Sequence, residues 1–391
     1  MRRFLIAISL LLTTGNVFAD DNIKDVLEKI AQNNLTLKAL EHENEAQVLD
    51  MKAGNVLMGP SVEYSPFFGG GYSGIAESEL IVKEDIEFPT KYAARNKQAV
   101  LQKETGNQQY LKLRRDILLE AEMLCLDVIR VNQTLAMLHQ RLAGSQALRQ
   151  MYEKRMEAGD ANILEVNKVK LDCMEVETMV SEAQNERSRY LEQLKQLNGG
   201  IDVDITALHF PEFAMTADFE AFKTAALAND ADIQTAEALL RSAEADVNIQ
   251  KKEWLPNLSV GYRRNTSRNE YVNGVLVGMS FPLVSNGKKV KAARQRQESA
   301  ILQVEQARQV AESTLKNRYQ QLVGLQQVLD HSDVAMMQET LELYSKALQH
   351  GEINAITYYG EINLIYEKLQ RHIDVHCQST KLLAELHKNE L

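Results

Sequence analysis

Proline is nearly missing from this chain, with six in 391 residues and none between Pro89 and Pro211. Without that breaker a stretch can stay helical throughout. Cysteine is as sparse: Cys125, Cys173 and Cys377 are an odd number, widely spaced in helical sequence, which excludes a disulfide framework. Past the first twenty residues no apolar run approaches the roughly 20 residues a spanning helix needs, so any bilayer crossing would be by strands. Basic residues are outnumbered, 44 against 54, and a net charge of −10 speaks against nucleic-acid binding. Catalytic signatures are absent too. There is no Ser/His/Asp arrangement, no phosphate-cradling loop and no metal-protease helix, and the run Gly69 to Gly71 lies in a hairpin loop with no helix after it. The sequence therefore argues against an enzyme and calls for no cofactor.

What is present begins with an export signal over residues 1–19. Arg2 and Arg3 lead into the apolar run Phe4 to Leu12, and Val17 to Ala19 supplies small residues at a cleavage site, so the mature chain is expected to start at Asp20. No cysteine follows that site, which leaves no N-terminal lipid anchor.

The rest is written twice. Asn33-Asn34, Pro60 to Tyr64, Phe88-Pro89, Ala93-Ala94-Arg95, Tyr152 and Gly159-Asp160 are answered, roughly 190 residues later, by Asn229-Asp230, Pro256 to Tyr262, Phe281-Pro282, Ala292-Ala293-Arg294, Tyr344 and Gly351-Glu352. The first repeat, 20–200, reads as a helix over 23–54, a hairpin over 61–88, a long helix over 90–158 and a return helix over 162–197. A linker follows over 201–217, with room for a short strand or helix around Pro211. The second repeat, 218–391, reads as a helix over 219–253, a hairpin over 257–283, a long helix over 287–350 and a return helix over 354–388. Each long helix would be a rod of about 100 Å, which few globular domains need.

In the hairpins the period changes to two. Leu80, Val82 and Ile86 alternate with charged residues, and Val275, Val277, Met279 and Phe281 share one face while Leu276, Gly278 and Ser280 share the other. Turns are expected over 66–74 and 265–274. One apolar and one small or polar face is the pattern of a transmembrane barrel strand, or else of a soluble hairpin covering a core. Four strands cannot close a barrel, so the first reading requires several chains.

Taken in order, Trp254 to Tyr262, Val277 to Leu283, Glu157 to Glu165 and Gln349 to Ile356 resemble the TolC-like outer-membrane efflux protein family across essentially the whole mature chain. Their arrangement is most similar to the branch serving heavy-metal or cation pumps of the resistance-nodulation-division type, such as CusC and CzcC. The resemblance implies a mainly α fold with a small β part. Three copies would join four strands each into a 12-stranded barrel in the outer membrane, continued by a periplasmic α-helical barrel. It implies a passive duct of a tripartite efflux system, exporting small molecules or metal cations. Its partners would be a periplasmic adapter, an inner-membrane pump and outer-membrane lipid.

On the same resemblance, Gly159, Asp160, Asn162, Gly351, Glu352 and Asn354 are helix tips that dock the adapter. Glu165, Thr357, Gly360 and Glu361 are candidates to line the periplasmic entrance, where Thr357 and Gly360 stand in places the family often gives to acidic residues. Phe88, Pro89, Phe281 and Pro282 mark strand-to-helix joints at the membrane interface. His372, His376 and Cys377 share a helix face, but no carboxylate or thiol spacing completes a metal site, and none is expected. Two other roles remain open from the sequence: a protein-secretion conduit of the same fold, and a periplasmic helical adapter or scaffold without a channel.

Overall fold

The structure is a computed structural model that describes residues 16–391 apart from 70, 72, 214–217, 268–269 and 282–285, with side chains from Asn22 onward except at 286. The export signal falls largely on residues 1–15, outside the described residues, as does Pro282. In chain order the elements are α1 (Asn16–Asn33), α2 (Leu35–Ala53), β1 (Ser61–Phe68), β2 (Ile75–Glu87), α3 (Pro89–Glu157), α4 (Ile163–Leu197), α5 (Phe219–Ala228), α6 (Ala231–Lys252), β3 (Asn257–Ser267), β4 (Glu270–Ser280), α7 (Asn286–Asp330), α8 (Val334–His350) and α9 (Ala355–Leu386), closed by a single 3-10 turn at Lys388–Glu390. The expected class, mainly helical with a small antiparallel part, is what forms.

Three helices expected to be continuous are broken. The helix over 23–54 is interrupted at Asn34, whose buried side chain accepts the Leu37 N–H at 3.0 Å and donates to the Leu197 carbonyl at 2.9 Å. The helix over 219–253 is split at Asn229-Asp230, where Asp230 accepts the N–H groups of Asp232 and Ile233. The long helix over 287–350 ends at Asp330 and restarts at Val334, capped by Asp333 on the Met336 N–H at 2.8 Å. Each break is an Asn or Asp offering its side chain to freed backbone donors, which competes with continuing the helix. The first long helix has no such residue at the equivalent place and runs unbroken for 69 residues as α3.

The turns are shorter than expected. β1 continues through Pro66 to Phe68, with a register shift after Phe67, because an edge strand tolerates proline. β3 and β4 stay paired out to Ser267 and Glu270. Among the described linker residues there is no helix or strand. The segment is strapped down instead: Asn132 donates to the carbonyls of Ile205 and Ala207 at 3.0 and 3.1 Å, and Ile205 and Phe210 are buried.

The chain divides into two compact units, and neither coincides with a repeat. One comprises the residues up to Leu37, Leu113–Ala228 and Glu312–Leu391; the other comprises Lys38–Lys112 and Asn229–Ala311. The first holds helices and no strand among its described residues, with apolar cores where α3, α4, α8 and α9 meet. The second holds the sheet, antiparallel throughout in the order β1-β2-β3-β4, so a strand pair from each repeat contributes half.

Candidate functional site: the sheet faces and the helix tips

Residues paired across an antiparallel sheet lie on one face, so the register sorts every side chain. One row runs Val62, Val82, Tyr262, Val275 through all four strands; Ile86, Leu258 and Met279 form another, and Val260 opposes Val277. This largely apolar face, which also carries Glu84 opposite Val260 and the pair Arg264 and Asn273 nearer the turns, is most exposed on its outer strands: Val62 is 66% exposed, Val277 77% and Val275 81%. A soluble hairpin would spend such a face on a core. The opposite face is mainly polar and internally paired. Lys83 meets Glu63 at 3.3 Å, Arg263 pairs with Glu79, and the Ser259 hydroxyl donates to Asp85. Gly261 shares the row of Lys83 on the polar face, and β2 passes too close there for a side chain: a Cβ would stand 2.5 Å from the Val82 carbonyl oxygen.

The joint after β2 is tightly built. Phe88 is half-buried, Pro89 opens α3 where it needs no N–H, and the Lys91 N–H donates to the Phe88 carbonyl at 2.8 Å. Arg95 is held by Glu87 and, at 3.2 Å, by Glu253, and this raises its pKa further. The buried Lys91 ammonium donates to Asn257 at 3.1 Å. After β4, Phe281 is 54% exposed.

Both helix tips lie in the first unit and share one core. After α3, Gly159 takes φ +78°; after α8, Gly351 takes φ +75° and caps the helix. These left-handed conformations are cheap only for glycine. Each return helix is then started by asparagine: Asn162 accepts the Leu164 N–H and Asn354 the Thr357 N–H, both at 2.9 Å. Behind the tips Tyr152, Val166, Val169, Leu348, Tyr359 and Ile362 pack as a single cluster. Asp160, Glu352, Ile163, Leu164 and Ile356 stay exposed around it.

The four entrance candidates divide. Glu165 is turned to its own helix, accepting the Asn162 N–H at 3.1 Å in a capping box, so its carboxylate serves α4 rather than a free surface. Glu361 accepts weakly from the Tyr344 hydroxyl at 3.4 Å and is exposed, as are Thr357 and Gly360.

Sequence reasoning missed the polar centre beside the tip core. Arg141 on α3 donates to Asp172 on α4 at 2.7 Å and to Asn363 on α9 at 2.8 Å, and Ser145 donates to the other oxygen of Asp172 at 2.7 Å. The guanidinium lies 4.9 Å from the centroid of the Tyr366 ring. Burial pushes the neighbouring Tyr358 phenol up to about 12. The network ties three helices drawn from both repeats. A hint lay in Arg141 and Asp172 being charged positions within otherwise core-facing stripes.

On α9 the His372 Nδ1 lies 3.0 Å from the Ser332 hydroxyl, and the Cys377 thiol donates to the Leu126 carbonyl. Burial pushes that thiol up to about 12. Among the described residues no three His, Cys, Asp or Glu side chains gather as a metal site, and no helix is long and apolar enough to cross a membrane.

The sequence pattern of the family described as outer membrane efflux protein matches residues 224–388. No curated protein matches the chain in sequence. Among solved structures, one of CusC, described as revealing changes that accompany folding and transmembrane channel formation, aligns over 97% of this chain and 95% of its own, at TM-score 0.76 and 16% identity. A membrane protein from Pseudomonas aeruginosa gives 0.77 and 16%, covering 94% and 90%. The Campylobacter jejuni CmeC outer membrane channel gives 0.74 and 12%, covering 96% and 87%. At these identities the likeness is one of fold, and it agrees with the family resemblance seen in the sequence.

Proposed function

We propose, from the match of residues 224–388 to the outer membrane efflux protein family, that this chain is the passive outer-membrane duct of a tripartite efflux assembly. The observation that carries the reading is the sheet: four strands with an exposed apolar face and a polar, ion-paired one. That is the division between lipid and a water-filled lumen. Four strands leave β1 and β4 as edges, and unpaired edges are not tolerated in hydrocarbon, so copies of the chain must close the wall. Three copies would give twelve strands.

In this reading the helices extend the duct into the periplasm, and the glycine tips at Gly159 and Gly351 receive an adapter coupled to an inner-membrane pump. Transport needs no chemistry here. The chain supplies a conduit whose entrance widens when the tip helices shift, and the pump supplies the energy and selects the cargo, small molecules or metal cations. The exposed tip residues Ile163, Leu164 and Ile356 suit an apolar docking contact.

Planar-bilayer conductance of the detergent-purified protein, taken with its mass in detergent, tests the reading. Stable conductance steps from a trimer-sized particle are expected. A monomer that leaves the bilayer silent would refute the duct and favour a periplasmic scaffold.

A further inference from the structure

In a chain with an excess of acid, residues 271–297 contain five basic residues, Lys288, Lys289, Lys291, Arg294 and Arg296, and no Asp or Glu. All five lie in the first turns of α7, shortly after β4. Arg296 is engaged by Asp246 at 3.3 Å. The other four are exposed and have no ion pair among the described residues. Lys291 and Arg294, with Gly287, Val290 and Gln295, line an open concavity of about 550 Å³.

The duplication shows that this bareness is particular to the second copy. Ala93-Ala94-Arg95 and Ala292-Ala293-Arg294 are counterparts, yet Arg95 is neutralised by Glu87 and Glu253. Where the first repeat has Glu87 ahead of Phe88-Pro89, the second has Ser280 ahead of Phe281-Pro282. The cation is kept and its carboxylate is gone. On the duct reading, which this inference rests on, the apolar face of β4 ends at Met279 and the basic turns come next along the chain, at the level of lipid headgroups.

We propose that Lys288, Lys289, Lys291 and Arg294 form a binding surface for the phosphate groups of anionic phospholipid in the leaflet next to the helices. Ammonium and guanidinium groups without an ion pair among the described residues meet there the one anion that a membrane holds at high density, and the concavity admits a headgroup between Lys291 and Arg294.

The test uses the full-length purified protein, titrated with phosphatidylglycerol or phosphatidylcholine and followed by native mass spectrometry, alongside vesicle flotation and bilayer conductance. Wild type should prefer phosphatidylglycerol by about tenfold. The variant Lys288→Gln/Lys289→Gln/Lys291→Gln/Arg294→Gln should lose the preference while keeping its oligomeric mass and conductance, and Arg296→Gln should keep it. Inorganic phosphate should compete poorly. Equal binding of the two lipids by wild type overturns the proposal, as does a preference that survives in the fourfold variant. Loss of oligomeric mass in that variant with lipid preference unchanged would assign the surface to a second copy. Wild type that floats and conducts but shows no preference refutes only the headgroup surface; wild type that neither floats nor conducts refutes the duct with it.

Discussion

Arg141 on α3 and Asp172 on α4 form an ion pair at 2.7 Å with side chains only 6% and 1% exposed, and the same guanidinium nitrogen also donates to Asn363 on α9 at 2.8 Å. One long helix and two return helices are thereby held at one polar point inside an apolar surround. Removing one partner leaves a buried charge uncompensated, whereas removing both does not. Asp172→Ala should therefore lose about 3–5 kcal/mol. Arg141→Met/Asp172→Leu should recover most of that loss. Urea unfolding followed by helical circular dichroism orders the three proteins.

At Gly351 the constraint is conformational, since φ is +75° and nothing lies within 4 Å of where a Cβ would stand. Gly351→Ala should cost about 1–2 kcal/mol through backbone strain alone. Gly351→Asn should cost less. On the proposed docking role of this tip, Gly351→Trp and Gly351→Glu should leave the oligomer's mass unchanged and abolish efflux. Cellular tolerance assays paired with mass in detergent read both effects, and undiminished efflux would remove the tip from the docking surface.

Gly261 is constrained by space. A Cβ would sit 2.5 Å from the Val82 carbonyl oxygen and 2.9 Å from the Lys83 Cα, both backbone of the neighbouring strand. Gly261→Ala should force β2 and β3 apart, at about 1–3 kcal/mol, and Gly261→Val should cost more. The expected sign is a lower temperature for loss of the folded band in semi-native gels, with helical content kept.

The His372 ring is half-buried beside the break between α7 and α8, and burial lowers its pKa. Lys368, Arg371, His331 and Asp333 line the same concavity. A lowered folded pKa means that the unfolded chain binds more protons as the pH falls below about 6.5. Stability contributed by neutral His372 is thus complete above that pH and declines as acid is added. Melting temperatures between about pH 7 and pH 5 should fall for wild type, and His372→Gln should flatten the slope.

Much of the fold was legible because periodicity survives without contacts. The alternation at Val275, Val277 and Met279 marked a two-faced strand, and proline-free stretches marked the long helices. The helix breaks were visible as repeated punctuation at Asn33-Asn34 and Asn229-Asp230 but read as continuous, since an Asn or Asp inside a helical pattern signals a cap only when its backbone donors are actually freed. The capping role of Glu165 on α4 was not read from the sequence, since that contact, three residues away, depends on where the helix begins.

The sequence by itself determined the local states: which segments are helix or strand, which face of each strand is apolar, and where glycine reverses the chain. These follow from side-chain period and backbone sterics, which act over a few residues. Only the tertiary structure decided that β2 pairs with β3 across the repeats, that Arg141 finds Asp172 and Asn363, and that Arg95 is neutralised while Arg294 has no ion pair among the described residues. Such pairings join residues far apart in the chain, and a side chain's charge is compensated or not according to what the packing brings beside it.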